Sequence, residues 1–349
     1  MITRIEIDGF KSFEEFSLDL EPFTVLAGPN NSGKSNLLEA INLVKELFSG
    51  NERALVNANR GAGSQLFHRA DDGTERYRFN IRIHREDSLS TLGVTVGSSG
   101  PGRGFEVIVS DDLAVARGER TRSSDQLPDF TQWVTVSPIP DRMRLGASMS
   151  DALPLAADGR NLAAVIARII ESESFPQFEL DAAHVIGELT DVRSIQDDRR
   201  QQWDIDLVMR GKRVFTPALV SDGTLRILAI LAAIHDPAYA ELVLVEELEN
   251  GLDPRFVGRL VDRILTRTAE TEGLQVIATT HSPVVLSAMK ERSPESVYLL
   301  GLAGGPGEFD GVRKLRRRTH ARSAVKGGER GTYVPSVEFE QYLSPVKGD

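Results

Sequence analysis

Two short stretches of this sequence hold residues whose types and spacing suit phosphate chemistry. Gly28-Pro29-Asn30-Asn31-Ser32-Gly33-Lys34-Ser35 satisfies the pattern G-x-x-x-x-G-K-[ST]. The glycines let the backbone curl until its N–H groups point inward, where the N-terminus of a following helix adds positive potential. Lys34 would bridge the β- and γ-phosphates of a nucleotide, and the Ser35 hydroxyl would ligate Mg²⁺. Gly28, Asn30, Asn31, Ser32, Gly33, Lys34, Ser35 and Asn36 are therefore the expected contacts of ATP. The second stretch is the apolar run Leu242-Val243-Leu244-Val245, ended by Glu246 and Glu247. A buried strand ending in paired acids places one carboxylate near the metal and the next near the γ-phosphate. Glu246 is assigned to Mg²⁺ through water, and Glu247 to polarising the attacking water.

A third stretch, Val220-Ser221-Asp222-Gly223-Thr224-Leu225-Arg226, lies just upstream of that run and opens a helix. Ser221 and Gly223 offer a hydroxyl and backbone N–H groups at a helix N-terminus, which suits an anion or a simple N-cap.

These groups need strands and helices to hold them. Ile2 to Ile7 and Phe16 to Leu20 alternate as paired half-buried strands do, and Phe23 to Ala27 is a short apolar strand feeding Gly28. Ser35 to Phe48 has Leu37, Leu38, Ile41, Val44, Leu47 and Phe48 on one helical face. Asn51 to Ser64 is a loop. Arg76 to Ala116 breaks into short β-like runs between Gly and Ser clusters, which predicts an antiparallel sheet. Arg120 to Asp151, with Pro128, Pro138 and Pro140, reads as irregular. Helical patterning covers Asn161 to Ile170 and Phe178 to Leu189, split by Pro176. Strands are expected at Asp204 to Met209 and Arg213 to Phe215. Helix and strand then alternate: Gly223 to His235, Leu242 to Val245, Pro254 to Ala269, Leu274 to Ala278. No fixed-period repeat and no sustained heptad array is present.

Composition narrows the setting. The 349 residues are 40% hydrophobic and 26% charged, an ordinary globular balance. The longest wholly apolar run, Ile227 to Ile234, is far short of a bilayer span, and Met1 to Ile5 lacks the regions of a signal peptide. With no cysteine there is no disulfide and no thiolate zinc site, so the expectation is a cytoplasmic protein without a membrane partner. A net charge of −10 argues against a general DNA-coating protein. Against that average, Arg313 to Arg330 carries eight basic residues and one acid, Glu329. That segment is read either as a solvated tail or as a phosphate-contacting patch.

Several motifs carry a family resemblance. Ser221 to Leu225 resembles the ABC signature motif; Leu248 to Asp253 stands where the D-loop belongs, and Thr279-Thr280-His281-Ser282-Pro283 where the switch histidine belongs. Ile5 to Phe13 and Gly28 to Ile41 look like the opening of SMC and RecF heads. Glu246 to Asp253 resembles the E-E-P-E-N-G-L-H-P motif of OLD-like ATPases, with Leu248 in place of the proline and Asp253 in place of the histidine. Ser221 to Leu225 matches their S-D-G-T-L, and Gly159 to Ala163 their G-x-N-L-A. The resemblance runs to about Leu300.

The resemblance implies an α/β fold: an ABC-type P-loop ATPase head with a mixed sheet, an antiparallel β-subdomain and a helical lobe. The head is expected at 1–75 and 202–312, an inserted subdomain and lobe at 76–201, and a basic tail at 313–349. It implies Glu247 and His281 as catalytic residues, with Ser221, Asp222, Gly223 and Asp253 completing the ATP site of a second copy. Gln65 is the Q-loop candidate, with Gln126 and Gln132 open, and Lys11 is a further candidate nucleotide contact. A homodimer or higher even-numbered oligomer that hydrolyses ATP slowly follows. It would switch a nucleic-acid-sensing or effector-controlling complex, with a separate effector protein, in phage defence or DNA repair. After His281 no glutamate-then-Asp-x-Asp constellation appears, so no intrinsic nuclease is expected. The competing readings are an ABC transporter's nucleotide-binding subunit, and an ATP-binding scaffold without turnover.

Overall fold

The computed structural model describes residues 1–13, 15–28, 32–51, 53, 55, 66–67, 78–85, 91–98, 105–111, 129–293, 296–303 and 314–320. Asn30, Asn31, Gln65 and Gln126 lie outside these residues, as does the basic segment after His320. The chain forms two compact units: Met1–Phe130 with Ser293–Asp349, and Thr131–Arg292.

The first unit opens with strands β1 (Ile2–Asp8) and β2 (Phe16–Asp19), then β3 (Phe23–Ala27) and helix α1 (Lys34–Phe48). Strands β4 (Arg78–Arg85), β5 (Thr91–Ser98) and β6 (Phe105–Asp111) follow. These three join the N-terminal hairpin in one antiparallel sheet of order β2-β1-β4-β5-β6. Register follows the apolar alternation: Ile5 sits opposite Leu18 and Ile83, and Ile7 opposite Phe16 and Ile81, all of them buried. Helix α1 packs against β5 and buries Leu37, Leu38, Ile41, Val44 and Leu47. Each such side chain contributes roughly 1.5–3 kcal/mol, which anchors the helix whose first turn closes the phosphate loop.

The second unit contains β7 (Trp133–Val136), a single helical turn at Pro140–Met143, and β8 (Ala147–Ser148). Helices α2 (Leu162–Ile170) and α3 (Phe175–Ile186) and strands β9 (Leu189–Asp197), β10 (Gln202–Met209) and β11 (Arg213–Phe215) come next. Then α4 (Asp222–His235), β12 (Leu242–Val245), α5 (Pro254–Glu270), β13 (Gln275–Thr280) and α6 (Pro283–Arg292) alternate as expected. Strand β12 runs parallel between β7 and β13, with Leu242 opposite both Trp133 and Gln275. Every residue of β12 and β13 is buried, the pattern of parallel strands covered on both faces. Strand β10 pairs antiparallel with β8, β9 and β11, and α2 packs on β9 and β10.

The chain then returns to the first unit. Strand β14 (Val297–Ala303) runs parallel to β3, and β15 (Lys314–His320), inside the basic segment, pairs antiparallel with β14.

Two local expectations are corrected. Strand β7 lies within the stretch read as irregular, because its four residues depend on parallel pairing with β12 rather than on a local pattern. Two helices form as expected, but Pro176 does not stand between them; it sits in the first turn of the second, α3, where its missing N–H is harmless, and Gly187 at φ 74° ends that helix. Leu189 therefore begins a strand instead of closing a helix. Among the described residues no helix is long and apolar enough to cross a membrane.

Candidate nucleotide-binding and catalytic site

In the first unit, β3 delivers the chain to Gly28 with all five of its residues buried. A Cβ at Gly28 would collide with the Leu300 carbonyl oxygen of β14 and come within 2.8 Å of Ser32 Oγ. Only glycine lets the loop turn this close to the neighbouring strand. Gly33 adopts φ 93°, the left-handed conformation that swings the chain into α1. Among the described residues no side chain caps α1, and no acid stands in its first turn, so the N-terminal amides keep their attraction for an anion.

The loop's side chains fit the same ligand. Lys34 is buried and donates from Nζ to the Gly28 carbonyl at 2.8 Å, which curls its ammonium over the loop. Ser32 is fully buried, and its Oγ has no hydrogen-bond partner among the described residues. A buried hydroxyl left without a partner costs about 1–3 kcal/mol, and a phosphate oxygen would satisfy it. Ser35 is exposed, while Asn36 donates from Nδ2 to Ser12 Oγ at 2.8 Å. Lys11, at φ 48°, forms an ion pair with Glu39 of α1.

In the second unit, β12 carries Glu246 and Glu247 out of its C-terminal end. The Glu246 N–H continues the strand pairing by donating to the Val136 carbonyl at 3.1 Å, and its side chain is half-buried. Glu247 is exposed and adopts φ 47°, a left-handed conformation that costs a non-glycine residue about 1–2 kcal/mol. Its surroundings enforce it. The Glu247 N–H donates to Thr279 Oγ1 at 2.9 Å, and the Leu248 N–H donates to the Thr279 carbonyl at 3.0 Å. Asn250 closes the turn, donating its N–H to the Glu247 carbonyl at 2.8 Å and its Nδ2 to Glu247 Oε2 at 3.2 Å.

His281 follows β13, and its imidazole Nδ1 lies 3.1 Å from Glu249 Oε1. Ser221 is the N-cap of α4; its Oγ accepts from the Thr224 N–H at 3.2 Å. Asp222 pairs with Arg144 at 2.5 Å, and Arg144 also donates to the carbonyls of Pro217 and Val220. Asp253 caps α5, accepting from the N–H, Nε and Nη2 of Arg255, each at 2.9 Å. The Arg255 side chain, with its amide, holds the Asp253 carboxyl at about 2. Gln132 lies in a short 3₁₀ turn before β7. Arg144 was not singled out from the sequence, and Glu249 and Asn250 entered only as part of the motif from Glu246 to Asp253. Arg144 and Glu249 act on partners that only the fold brings to them, whereas Asn250 acts on Glu247, three residues before it.

The family described as "AAA domain, putative AbiEii toxin, Type IV TA system" matches residues 23–287. The chromosome partition protein Smc of Methanocaldococcus jannaschii is 42% identical over 68 residues, 19% of this chain and 6% of that protein. The DNA replication and repair protein RecF of Arthrobacter sp. (strain FB24) is 31% identical over 147 residues, 36% of this chain and 34% of that one. The matches thus span about a third or less of these relatives. A solved structure, "Crystal structure of the SmcHead bound to the C-winged helix domain of ScpA", superposes with a TM-score of 0.63 at 17% identity. That likeness covers 92% of this chain and 99% of the other, and it shows the fold of an SMC head. The expected likeness to SMC, RecF and OLD-like ATPases is borne out, and with it the α/β P-loop head.

Proposed function

The chain belongs to the family described as "AAA domain, putative AbiEii toxin, Type IV TA system", and on that premise we propose that it binds Mg-ATP and hydrolyses it slowly as an ATP-dependent dimer. The observation that carries this reading is the phosphate cradle: Gly28 pressed on Leu300, Gly33 left-handed, Lys34 folded over the loop and Ser32 Oγ buried without a partner among the described residues. In this reading Lys34 and the first-turn amides of α1 hold the β- and γ-phosphates. Ser35 and Glu246 hold Mg²⁺, which neutralises charge developing on the phosphates. Glu247 polarises the attacking water, and His281 contacts the γ-phosphate region. Asn30, Asn31 and Asn36 would complete the nucleotide contacts, and Gln65 remains the Q-loop candidate.

Ser221, Asp222, Gly223 and Asp253 would act on the nucleotide held by a second copy, so the working unit is a homodimer or a larger even-numbered assembly. Ser221 and Asp222 are exposed and Asp253 is half-exposed at the starts of α4 and α5, which supports that role, while Gly223 itself is buried. The switch would control a separate effector or a nucleic-acid-sensing complex, in phage defence or DNA repair, in the cytoplasm and without nuclease activity of its own. The RecF likeness supports a nucleic-acid role, and the SMC head solved with ScpA supports a separate partner protein.

The test is the mass of purified Glu247→Gln protein with and without Mg-ATP. Blocking hydrolysis should trap the closed state, so the mass should double, or reach a larger even multiple, only with ATP. An unchanged mass with ATP bound would overturn the in-trans roles of Ser221 and Asp253.

A further inference from the structure

The acid two residues past Glu247 is placed differently from its neighbours. The Glu249 side chain is only 10% exposed, and both of its oxygens are engaged by the end of β13. Oε2 accepts from Thr280 Oγ1 at 2.7 Å. Oε1 accepts from the His281 backbone N–H at 3.0 Å and lies 3.1 Å from the His281 ring Nδ1. Thr280 is fully buried, and its hydroxyl also accepts from the Ser282 N–H at 3.0 Å, so the hydrogen is committed to Glu249. The His281 ring itself is 49% exposed.

A carboxylate only accepts, so the ring nitrogen facing it must carry a proton. The neutral ring is then the Nδ1–H tautomer, and Nε2 is the nitrogen left for a ligand. Outer carboxylates fix ring plane and tautomer in this way where a histidine must meet a ligand with one chosen nitrogen.

We propose that Glu249 is the positioning residue of His281: it fixes the Nδ1–H tautomer and the ring plane, so that Nε2 is presented to the γ-phosphate or the attacking water. This rests on the ATPase reading above. The acids that follow β12 then divide their tasks: Glu246 serves the metal, Glu247 the water, and Glu249 the histidine. Glutamine in place of Glu249 keeps the shape but offers only one acceptor oxygen to the three donors of Thr280 and His281, so one or more of those bonds is lost.

Two measurements test it. Long-range ¹H–¹⁵N spectra of the ring nitrogens, assigned by His281→Asn, should show the Nδ1–H tautomer in the wild-type chain and its loss in Glu249→Gln. ATPase kinetics should show kcat lowered about 10-fold in Glu249→Gln with KM for ATP unchanged. In the His281→Asn background the same change should have no further effect. An Nε2–H tautomer in the wild type, or an equal loss of kcat in both backgrounds, would overturn the proposal. If Glu249→Gln fails to fold, Glu249→Asp, which withdraws the carboxylate by one methylene, gives the same readouts. Absence of any wild-type turnover would sink the ATPase reading instead, and the wild-type tautomer would still decide the positioning.

Discussion

Gly223, in the first turn of α4, rests so tightly on the loop before α5 that a methyl group added to it would lie 2.9 Å from the carbonyl oxygen of Gly251. The contact is doubled from the other side: Gly251 sits at φ 69°, and a Cβ there would lie 3.1 Å from Arg226 Nε. The N-terminus of the signature-like helix and the loop carrying Asp253 are thereby interlocked, and a shift of either is passed to the other. Both would face the second copy's nucleotide in the proposed dimer, which gives the interlock a functional use.

Gly223→Ala should therefore destabilise the chain by about 1–3 kcal/mol, the usual cost of overpacking, because the atom it meets is backbone. Gly258, inside α5, has nothing within 4 Å of an added Cβ. Gly258→Ala should stabilise by roughly 0.5–1 kcal/mol through helix propensity alone. Urea unfolding of the two variants side by side checks this, and equal effects of one sign would refute the interlock.

The Ser32 hydroxyl, buried and without a partner among the described residues, makes a two-part prediction. Ser32→Ala removes that unsatisfied group, so the protein without ATP should become as stable as wild type or more so, by up to about 1 kcal/mol. Its thermal stabilisation by Mg-ATP should shrink at the same time. Lys34→Ala, which removes a charge-assisted contact, should weaken ATP binding by about 10- to 100-fold. A Ser32→Ala protein that is less stable when free yet fully protected by ATP would show that the hydroxyl serves the loop and not the ligand.

Stability should also fall on mild acidification through His235, the last residue of α4. Its ring is fully buried, with Nε2 2.9 Å from Asp181 Oδ2 of α3 and the ring of Phe178 edge-on at 5.8 Å. Burial pushes the imidazole below its ordinary value; the nearby Arg267 pushes the same way, and Asp181 opposes both. Arg263 lies 3.7 Å from the other oxygen of Asp181. Above pH about 6.5 the ring is neutral in folded and unfolded chains alike. Below that value the unfolded chain takes up a proton that the folded chain refuses, so stability declines as pH falls toward the depressed value. Urea midpoints at pH 7.5 and 5.5 should diverge more in wild type than in His235→Gln. An equally steep loss in the variant would place the titration elsewhere.

What could be read from the sequence was what is local. The G-x-x-x-x-G-K-[ST] pattern stands between β3 and α1, so the candidate contacts from Gly28 to Asn36 could be named from spacing alone. Strand β12 is a continuous apolar run, β13 has the apolar centre Val276 to Ala278, and the serine capping α4 stands beside the helix it caps. The unread parts depend on partners far away in the chain. Strand β7 is four residues among prolines until β12 pairs with it. Strand β9 buries only Leu189 and Val192, too sparse an alternation to register. Glu249 and His281 are 32 residues apart, and no local pattern marks one as the other's partner. The same holds for Gly223 and Gly251, since close backbone contact leaves no mark in either local sequence.

Glu247 offers the sharpest separation of stability from activity. Its φ of 47° is imposed by Thr279 and Asn250, and a side chain with a Cβ pays about 1–2 kcal/mol to stay there. Glycine adopts that conformation without strain, so Glu247→Gly should be more stable than Glu247→Ala by about 1 kcal/mol, although glycine elsewhere loses to alanine. Both variants should lose ATP turnover while retaining ATP binding, because neither carries the carboxylate proposed to polarise the attacking water. Paired thermal melts, read with a turnover assay, test the argument. Alanine proving the more stable of the two would mean that the turn relaxes once the glutamate is gone, and that the strain belongs to its carboxylate contact with Asn250 rather than to the backbone.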